Sequence, residues 1–422
     1  MGDSRGDRDY DDMTVNATSA AGIRAEGAGA RRGRFALFAY GFRPFFLLAG
    51  IWAPFGVALW VASLAGLGLP EGPLPMLRWH AHEMLTGFVG AAIIGFLLTA
   101  IPNWTGRKGY AGPPLIGLVA LFLAGRLALL PGSPLPVGAA APIALAAIPA
   151  AILLVLPALV KARSARLFGP PLLVLAFWAG DLLMLGSAAG WWQDETWRAG
   201  ELLSADVALT LVVLIGGRII PSFTLNALRK TGHPAELSPL PGVDRAAVLS
   251  MVVLTLVDLV APESLLAGGV SALAAVLVAL RLSRWHGLRT LSQPILWVLH
   301  LAYAFVPLAL ATKAVWMLTG APWAMYWLHL QGAGALALMI LAVMTRAVLG
   351  HTGRELVAAP PTVLAYVLLP IAALARAFGP VLAGGGLAPL VVAGAFWVGA
   401  FALFLLVYVP FLLFPRADGK PG

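Results

Sequence analysis

The sequence predicts an all-α integral membrane protein with about twelve transmembrane helices and both termini in the cytoplasm. Of its 422 residues, 60% are hydrophobic and only 11% are charged, and the mean hydropathy is +0.88. Soluble domains carry about 25% charged residues. Apolar runs of about 20 residues, each sufficient to span a bilayer, recur from Phe35 to the C-terminus. These observations exclude a soluble enzyme with a membrane anchor.

The distribution of polar residues predicts three regions. Residues 1–34 are polar, small and charged and lack the apolar core of a signal peptide, so we expect a disordered cytoplasmic tail. Residues 35–413 form the polytopic membrane domain, and residues 414–422 form a short cytoplasmic tail.

Twelve apolar segments are long enough to be spans. We expect the first six at 35–66, 77–101, 114–131, 137–160, 169–190 and 201–220. We expect the last six at 244–261, 264–283, 291–317, 322–349, 361–378 and 387–413. No internal sequence repeat is apparent among them.

The basic residues indicate the orientation of these spans. With the N-terminus in the cytoplasm, the inner segments contain nineteen Lys and Arg residues and the outer segments contain five. This asymmetry follows the positive-inside rule and requires an even number of spans. It also accounts for the net charge of +9 without a nucleic-acid partner.

Histidine is the most informative residue type in this chain. There is no cysteine, which excludes thiolate metal sites, disulfides and c-type haem attachment. Ionisable residues at membrane depth are costly and usually functional, although a single histidine is more often an interhelical hydrogen-bonding group than a ligand. A rise of about 1.5 Å per helical residue predicts one layer, between the outer face and mid-membrane, that contains His80, His82, His300 and His329.

The first two histidines lie in the run RWHAHEM at 78–84, at the outer end of the second span. Residues two apart on an α-helix point about 200° apart. His80 and His82 therefore cannot bind one ion on an undistorted helix, and we expect them to have different partners. Glu83 and Met84 share a face with His80.

A second polar set gathers where several spans reach the inner surface, and it comprises Arg43, Asn103, Arg218, Arg346 and His351. Helix capping and snorkelling explain many such residues. Arg43 is followed by a proline inside a span, and its buried guanidinium needs an anionic partner. A haem propionate and Asp181 are the two alternatives.

Five blocks of the sequence resemble the NnrS family: WHAHEM-x2-GF, GFLLTAIPNWTG, GGR-x2-P-x-F, LHLAY and VMTRAVLGHTGR. The resemblance extends from Phe35 to about Leu413. It implies a bacterial inner-membrane protein that contains haem and copper and is linked to nitric oxide, in denitrification and nitrosative stress. The family's motif positions correspond here to His80, His82, Glu83, Asn103, Arg218, His300, His329, Arg346 and His351.

Together, the residues and the resemblance predict that nitric oxide binds at a histidine-ligated metal site within the bilayer, with haem b and copper as cofactors. His82 and His329 are the first candidates as metal ligands, followed by His80 and His300. His351 is available to a second, inner centre. Whether the protein reduces or detoxifies nitric oxide stays open, and no motif identifies an electron donor.

The surrounding residues receive supporting roles in this prediction. Glu83 would orient an imidazole or carry protons, and Met84 would add a soft ligand for copper. Tyr303 shares a helix face with His300. The haem propionates would be neutralised by Arg43, Arg218 and Arg346.

Two other classes of function stay open. A secondary transporter would account for the intramembrane residues Asp181, Asp206, Asp258 and Lys313. A sensor or metal-insertion factor would act through a partner protein. No nucleophile elbow, P-loop or dinucleotide fingerprint indicates a hydrolase or a nucleotide-dependent enzyme.

Overall fold

The computed structural model describes residues 35–233, 235–236 and 240–420. In this part of the chain, all regular secondary structure is helical, and turns and short loops connect the helices. The predicted N-terminal tail, 1–34, lies outside the described residues.

Twelve helical elements follow one another along the described chain. The first four are α1 (Phe42–Leu64), α2 (Met76–Thr105), α3 (Pro113–Ala128) and α4 (Val137–Ala162). The next four are α5 (Gly169–Ala188), α6 (Thr196–Lys230), α7 (Pro241–Val260) and α8 (Leu265–Ser283). The last four are α9 (Pro294–Thr319), α10 (Pro322–His351), α11 (Pro360–Leu382) and α12 (Ala388–Leu413).

Each of the twelve predicted spans coincides with one of these helices. Among the described residues, ten helices are long and apolar enough to cross a membrane, so the chain is a multi-pass membrane protein. The two remaining helices fall short for different reasons. Helix α3 has only 16 residues, and α7 carries the three charged residues Asp244, Arg245 and Asp258.

Two helix boundaries differ clearly from the prediction. Helix α6 continues to Lys230, well past the predicted end at 220. Its last part is amphipathic and polar on one face, so the prediction from hydropathy ends too early. Helix α1 begins at Phe42 instead of residue 35. The segment before it turns back across the end of α12, where the Ala36 N–H donates to the Leu413 carbonyl at 2.7 Å.

Three of the twelve helices contain a wide π-helical segment. These segments are Glu83–Val89 in α2, Val212–Gly216 in α6 and Leu330–Ala337 in α10. Such segments add a residue to the helical turn and are frequent at functional sites. Helices α2, α6 and α10 contact one another pairwise and are among the most buried in the structure. They form the centre of the bundle.

The twelve helices form three successive units of four: α1–α4, α5–α8 and α9–α12. In each unit the second helix is the longest and carries the π-helical segment. Neighbouring units pack through α4 with α5 and α8 with α9, and α12 packs against α1. The structure thus repeats in helix order and in the place of the π-helical segment, although no repeat is apparent in the sequence. Structural repeats in membrane proteins often leave only a weak sequence similarity.

The same two residue types end the second helix of each unit. A threonine bonds to the carbonyl four residues earlier, at 2.7, 3.3 and 2.6 Å in the three units. A glycine follows with φ of 63°, 74° and 69°, a conformation that glycine adopts without strain. We call this side of the bundle the Thr-Gly end. The pairs are Thr105-Gly106, Thr231-Gly232 and Thr352-Gly353.

Small residues allow neighbouring helices to pack closely. A Cβ at Gly200 of α6 would lie 2.5 Å from the Gly180 carbonyl oxygen of α5. A Cβ at Gly125 of α3 would lie 2.6 Å from the Ala144 Cα of α4. Close backbone approach of this kind is characteristic of helix packing in membranes, where apolar burial alone does not favour association.

Candidate functional site

A cavity of about 220 Å³ lies at the end of the bundle opposite the Thr-Gly end, and it is partly open at its edge. Helices α1, α2, α6, α10, α11 and α12 all contribute to its walls. Most of the lining is apolar. The polar side chains that reach it are His80, Glu201, His329 and Arg376.

His80 and His329 bring two imidazoles to this cavity from α2 and α10. The His80 ring stacks on Trp60 of α1, with ring centroids 5.0 Å apart and planes 15° from parallel. The Nδ1 atoms of both histidines are buried and have no hydrogen-bond partner among the described residues. A buried polar atom without a hydrogen-bond partner lowers the stability of the fold. The Nδ1 atom of each imidazole is therefore available to a ligand.

Arg376 of α11 also reaches the cavity, and it has no carboxylate partner among the described residues. Its guanidinium lies over the Tyr326 ring, 4.6 Å from the centroid. Its Nη1 atom is buried and makes no hydrogen bond to the residues that the structure describes. Glu201, the carboxylate of the same cavity, is instead paired with Arg198 at 2.7 Å. The cavity therefore offers an unused site for an anion.

Met84 completes this set with a thioether. It lines the cavity, and its methyl group packs so closely on α1 that a Cβ at Gly56 would lie 2.4 Å from it.

His82 has different surroundings from His80, in agreement with their separation of about 200° on the helix. Its Nδ1 atom lies 2.9 Å from Glu83 Oε1, and its Nε2 atom lies 2.8 Å from Asp181 Oδ1 of α5. All three side chains are buried. Donation to both carboxylates requires a proton on each ring nitrogen, which makes the ring an imidazolium. In this arrangement, neither nitrogen has a lone pair for a metal.

Further donors hold Glu83 in this network. Arg126 Nη1 of α3 donates to Glu83 Oε1 at 2.9 Å, and Trp52 Nε1 of α1 donates to Glu83 Oε2 at 2.7 Å. Gly87 makes the tryptophan contact possible, because a Cβ there would lie 2.4 Å from Trp52 Nε1. With an imidazolium and a guanidinium facing two carboxylates, the network is electrically neutral.

His82 and His329 occupy equivalent positions in the first and third units. The interval from His82 to Thr105 equals the interval from His329 to Thr352, and a π-helical segment begins at the next residue, Glu83 or Leu330. The residue after the histidine is thus a carboxylate in α2 and a leucine in α10. This difference removes one partner and leaves the His329 ring available to the cavity.

His300 lies at the Thr-Gly end, apart from the other three histidines of the expected layer. Its Nε2 atom lies 2.8 Å from Thr224 Oγ1, and Thr224 is near the end of α6. Ala205 of the same helix lines the cavity, about 28 Å away along the helix axis. The four histidines therefore do not form one layer. Tyr303 lies near His300 and is buried against Trp285, with ring centroids 4.5 Å apart.

Arg43 and His351 lie at the Thr-Gly end as well. Arg43 Nη1 donates to the carbonyl oxygens of Phe411, Leu412 and Phe414 at 3.0, 3.0 and 2.9 Å. It thereby caps the last turn of α12. His351 packs against the Tyr40 ring, with centroids 6.0 Å apart. Asp181, one expected partner of Arg43, is bound to His82 instead.

The remaining predicted residues are not brought together with the cavity. The Arg346 guanidinium lies over the Phe223 ring, 3.9 Å from its centroid. Arg218 and Asn103 are exposed. These three side chains lie on the half of the bundle nearer the Thr-Gly end.

Three residues of the site are not identified as such by the sequence. In the prediction from sequence, Arg376 and Arg126 are only two of the five basic residues of the outer segments. Trp52 has no assigned role in it. Both arginines lie in apolar helices, and an arginine inside a span is a usable signal for a buried partner.

Within the described residues, no group of three or more His, Cys, Asp or Glu side chains is placed to hold a metal ion. A family model described as NnrS protein matches residues 36–416 of the chain. No curated protein matches it.

Proposed function

The chain belongs to the NnrS family, and we propose that it is a haem protein that binds nitric oxide in the cavity between His80 and His329. Membership of the family links the chain to the nitric oxide response in general. It also associates the chain with haem and copper. The observation that supports this particular site is the pair of buried imidazoles that lack hydrogen-bond partners on their Nδ1 atoms.

The residues of the cavity fit a haem group in their chemistry. Without cysteine, histidine is the strong ligand available for haem iron, and His80 and His329 are the imidazoles that would hold it, because they reach the cavity. Its walls are otherwise mostly apolar, as a porphyrin face requires. A macrocycle exceeds the enclosed volume, so it would also occupy the open edge.

Arg376 supports the same assignment. Haem carries two propionates, and an arginine pairs well with a carboxylate through charge-assisted hydrogen bonds. The free capacity of Arg376 Nη1 lies in the same cavity as the two imidazoles. This residue takes the role that the sequence suggests for Arg43, Arg218 and Arg346.

When bound, the haem would supply an iron coordination position for nitric oxide. The protein contributes orientation and exclusion of water. Stacking on Trp60 fixes the plane of the His80 ring. The apolar walls admit a small apolar gas from the bilayer without a polar channel. The neutral network around His82 fixes the helix turn that carries His80.

Copper fits the described residues less well. No group of three His, Cys, Asp or Glu ligands is present among them. Two imidazoles and the Met84 thioether could serve a soft Cu(I) ion, but they line the same cavity as the proposed haem. We therefore assign no copper ligands.

We further propose the bacterial inner membrane as the location, with twelve spans and the Thr-Gly end in the cytoplasm. The basic residues that follow α2, α6 and α10 support this orientation through the positive-inside rule. Single cysteines introduced at the exposed positions Arg107 and Leu67 would test this orientation from both sides of the membrane by accessibility labelling. The chain has no other cysteine.

The test of the proposed function is the absorption spectrum of the purified protein, oxidised and reduced, with iron and copper analysis. We expect a b-type haem spectrum that nitric oxide shifts. His80→Ala and His329→Ala should each lower haem content or change the spectrum. His300→Ala, at the other end of the bundle, should leave both unchanged.

Two outcomes would contradict this proposal. Native spectra in both cavity variants would move the haem elsewhere in the protein. A folded protein that is colourless and free of metal would instead favour a secondary transporter.

A further inference from the structure

A second group of buried polar side chains lies beside the cavity but takes no part in the proposed function. It contains Asp206 of α6, Asp258 of α7, Lys313 of α9 and Gln331 of α10. Each of these side chains is almost completely inaccessible. Four helices of the second and third units therefore converge on one polar centre.

The contacts within this group are close. The Lys313 ammonium forms a short ion pair with Asp258 Oδ2 and lies 3.8 Å from Asp206 Oδ2. Gln331 Nε2 donates to Asp206 Oδ1 at 3.1 Å. The ammonium also lies 4.5 Å from the centroid of the Trp327 ring. Both carboxyl groups therefore face the same ammonium.

The charges of the group do not balance. Two carboxylates face one ammonium, which would leave one negative charge buried. Helix α8, which packs against α7 and α9, contributes no charged residue except Arg281 near its far end. On the helix and loop beside the group, Arg198, Glu201 and Glu263 are paired with one another at 2.7 and 2.9 Å.

Three oxygen atoms in this group have no hydrogen-bond donor among the described residues. They are Asp206 Oδ2, Asp258 Oδ1 and Gln331 Oε1. A buried acceptor without a donor is unfavourable and calls for a partner. The Gln331 side chain does not itself take up a proton. Its oxygen without a donor is therefore independent evidence that this group needs one more hydrogen-bond donor.

We propose that the Asp206–Asp258 pair is a proton-binding site that holds one exchangeable proton. The proton forms an O–H bond to a carboxylate oxygen, which neutralises the excess charge and supplies a donor to the unpartnered acceptors. It comes from water, and no electron moves. A metal cation fits less well, because the Lys313 ammonium already occupies the space between the carboxylates.

The pair is close in sequence to the lining of the cavity and to one end of a helix. Asp206 follows Ala205, and Gln331 precedes Gly332, and both of these neighbours line the cavity. Asp258 lies two residues before the end of α7 at Val260. The pair therefore lies between the cavity and one surface of the bundle.

Infrared spectroscopy of the full chain in lipid nanodiscs tests this proposal without any need for haem. We expect a carboxylic-acid carbonyl band at neutral pH that shifts in D₂O. Asp206→Asn and Asp258→Asn should each remove this band. Asp244→Asn, on the same helix as Asp258 but paired with Arg281 at 3.0 Å, should leave it unchanged.

A further variant gives a gain of signal that misfolding does not produce. Lys313→Met removes the cation of the group, so both carboxyl groups should be protonated and the band should grow about twofold. A band that neither aspartate variant changes would overturn the proposal. So would a band that appears only when sodium and potassium are replaced by a large organic cation, because the pair would then bind a metal ion.

Discussion

Replacement of His82 separates a structural role from a ligand role at this position. The imidazole joins Glu83 at 2.9 Å and Asp181 at 2.8 Å. In His82→Ala, Glu83 would keep the contacts with Arg126 and Trp52. Asp181 would lose its ion pair while it remains only 2% exposed.

The expected loss of stability follows from this asymmetry. Removal of one partner from a buried ion pair costs about 3–5 kcal/mol, because the other charge stays buried without compensation. We therefore expect the free energy of unfolding of His82→Ala to fall by about this amount. The double variant His82→Ala/Asp181→Asn removes the uncompensated charge as well, and it should recover about 2 kcal/mol.

The assay is denaturant-induced unfolding in detergent micelles, with haem content measured on the same samples. His82→Ala should be clearly destabilised, and the haem that remains in the folded fraction should keep a native spectrum. The opposite result would refute this reasoning. Unchanged stability together with loss of haem would mean that His82 is a ligand and that the imidazolium pairing is wrong.

Two further predictions concern the cavity and the packing of α5 on α6. Arg376→Gln should lower haem retention severalfold, because a propionate would lose its cation. The control is Arg78→Gln, which should retain haem normally, because Arg78 pairs with an exposed carboxylate outside the cavity. Equal retention in both variants would exclude the propionate contact. Gly200→Ala should destabilise the protein by about 1–3 kcal/mol through overpacking, because the new Cβ would lie 2.5 Å from the Gly180 carbonyl oxygen. Gly269→Ala, whose Cβ would have no atom within 4 Å, should be neutral in the same unfolding assay.

The helices were predictable because hydropathy and length are local properties of the sequence. All twelve expected segments are helical, and the Gly residues that end α2 and α10 mark their C-termini. The different surroundings of His80 and His82 also follow from helix geometry alone. These features do not depend on which helices pack against one another.

The partners within the site were not predictable in the same way. The contacts of His82 with Asp181 and of Glu83 with Arg126 join residues 99 and 43 positions apart. Depth estimates place His300 near mid-membrane, but α9 begins at Pro294 and positions it against Thr224 at one end. The π-helical segments change the phase of three helices, so faces deduced for a uniform α-helix do not hold past them.

The repeated four-helix order places one backbone position in three different surroundings. The residues at equal distance before the three terminal threonines are His82, Ala208 and His329. In the first unit, two neighbouring acids hold the imidazole in place. The second unit has no imidazole at this position, and the His329 Nδ1 atom of the third has no hydrogen-bond partner among the described residues. The repeated helix order therefore does not extend to the side chains, and equivalent backbone positions in the three units have different surroundings.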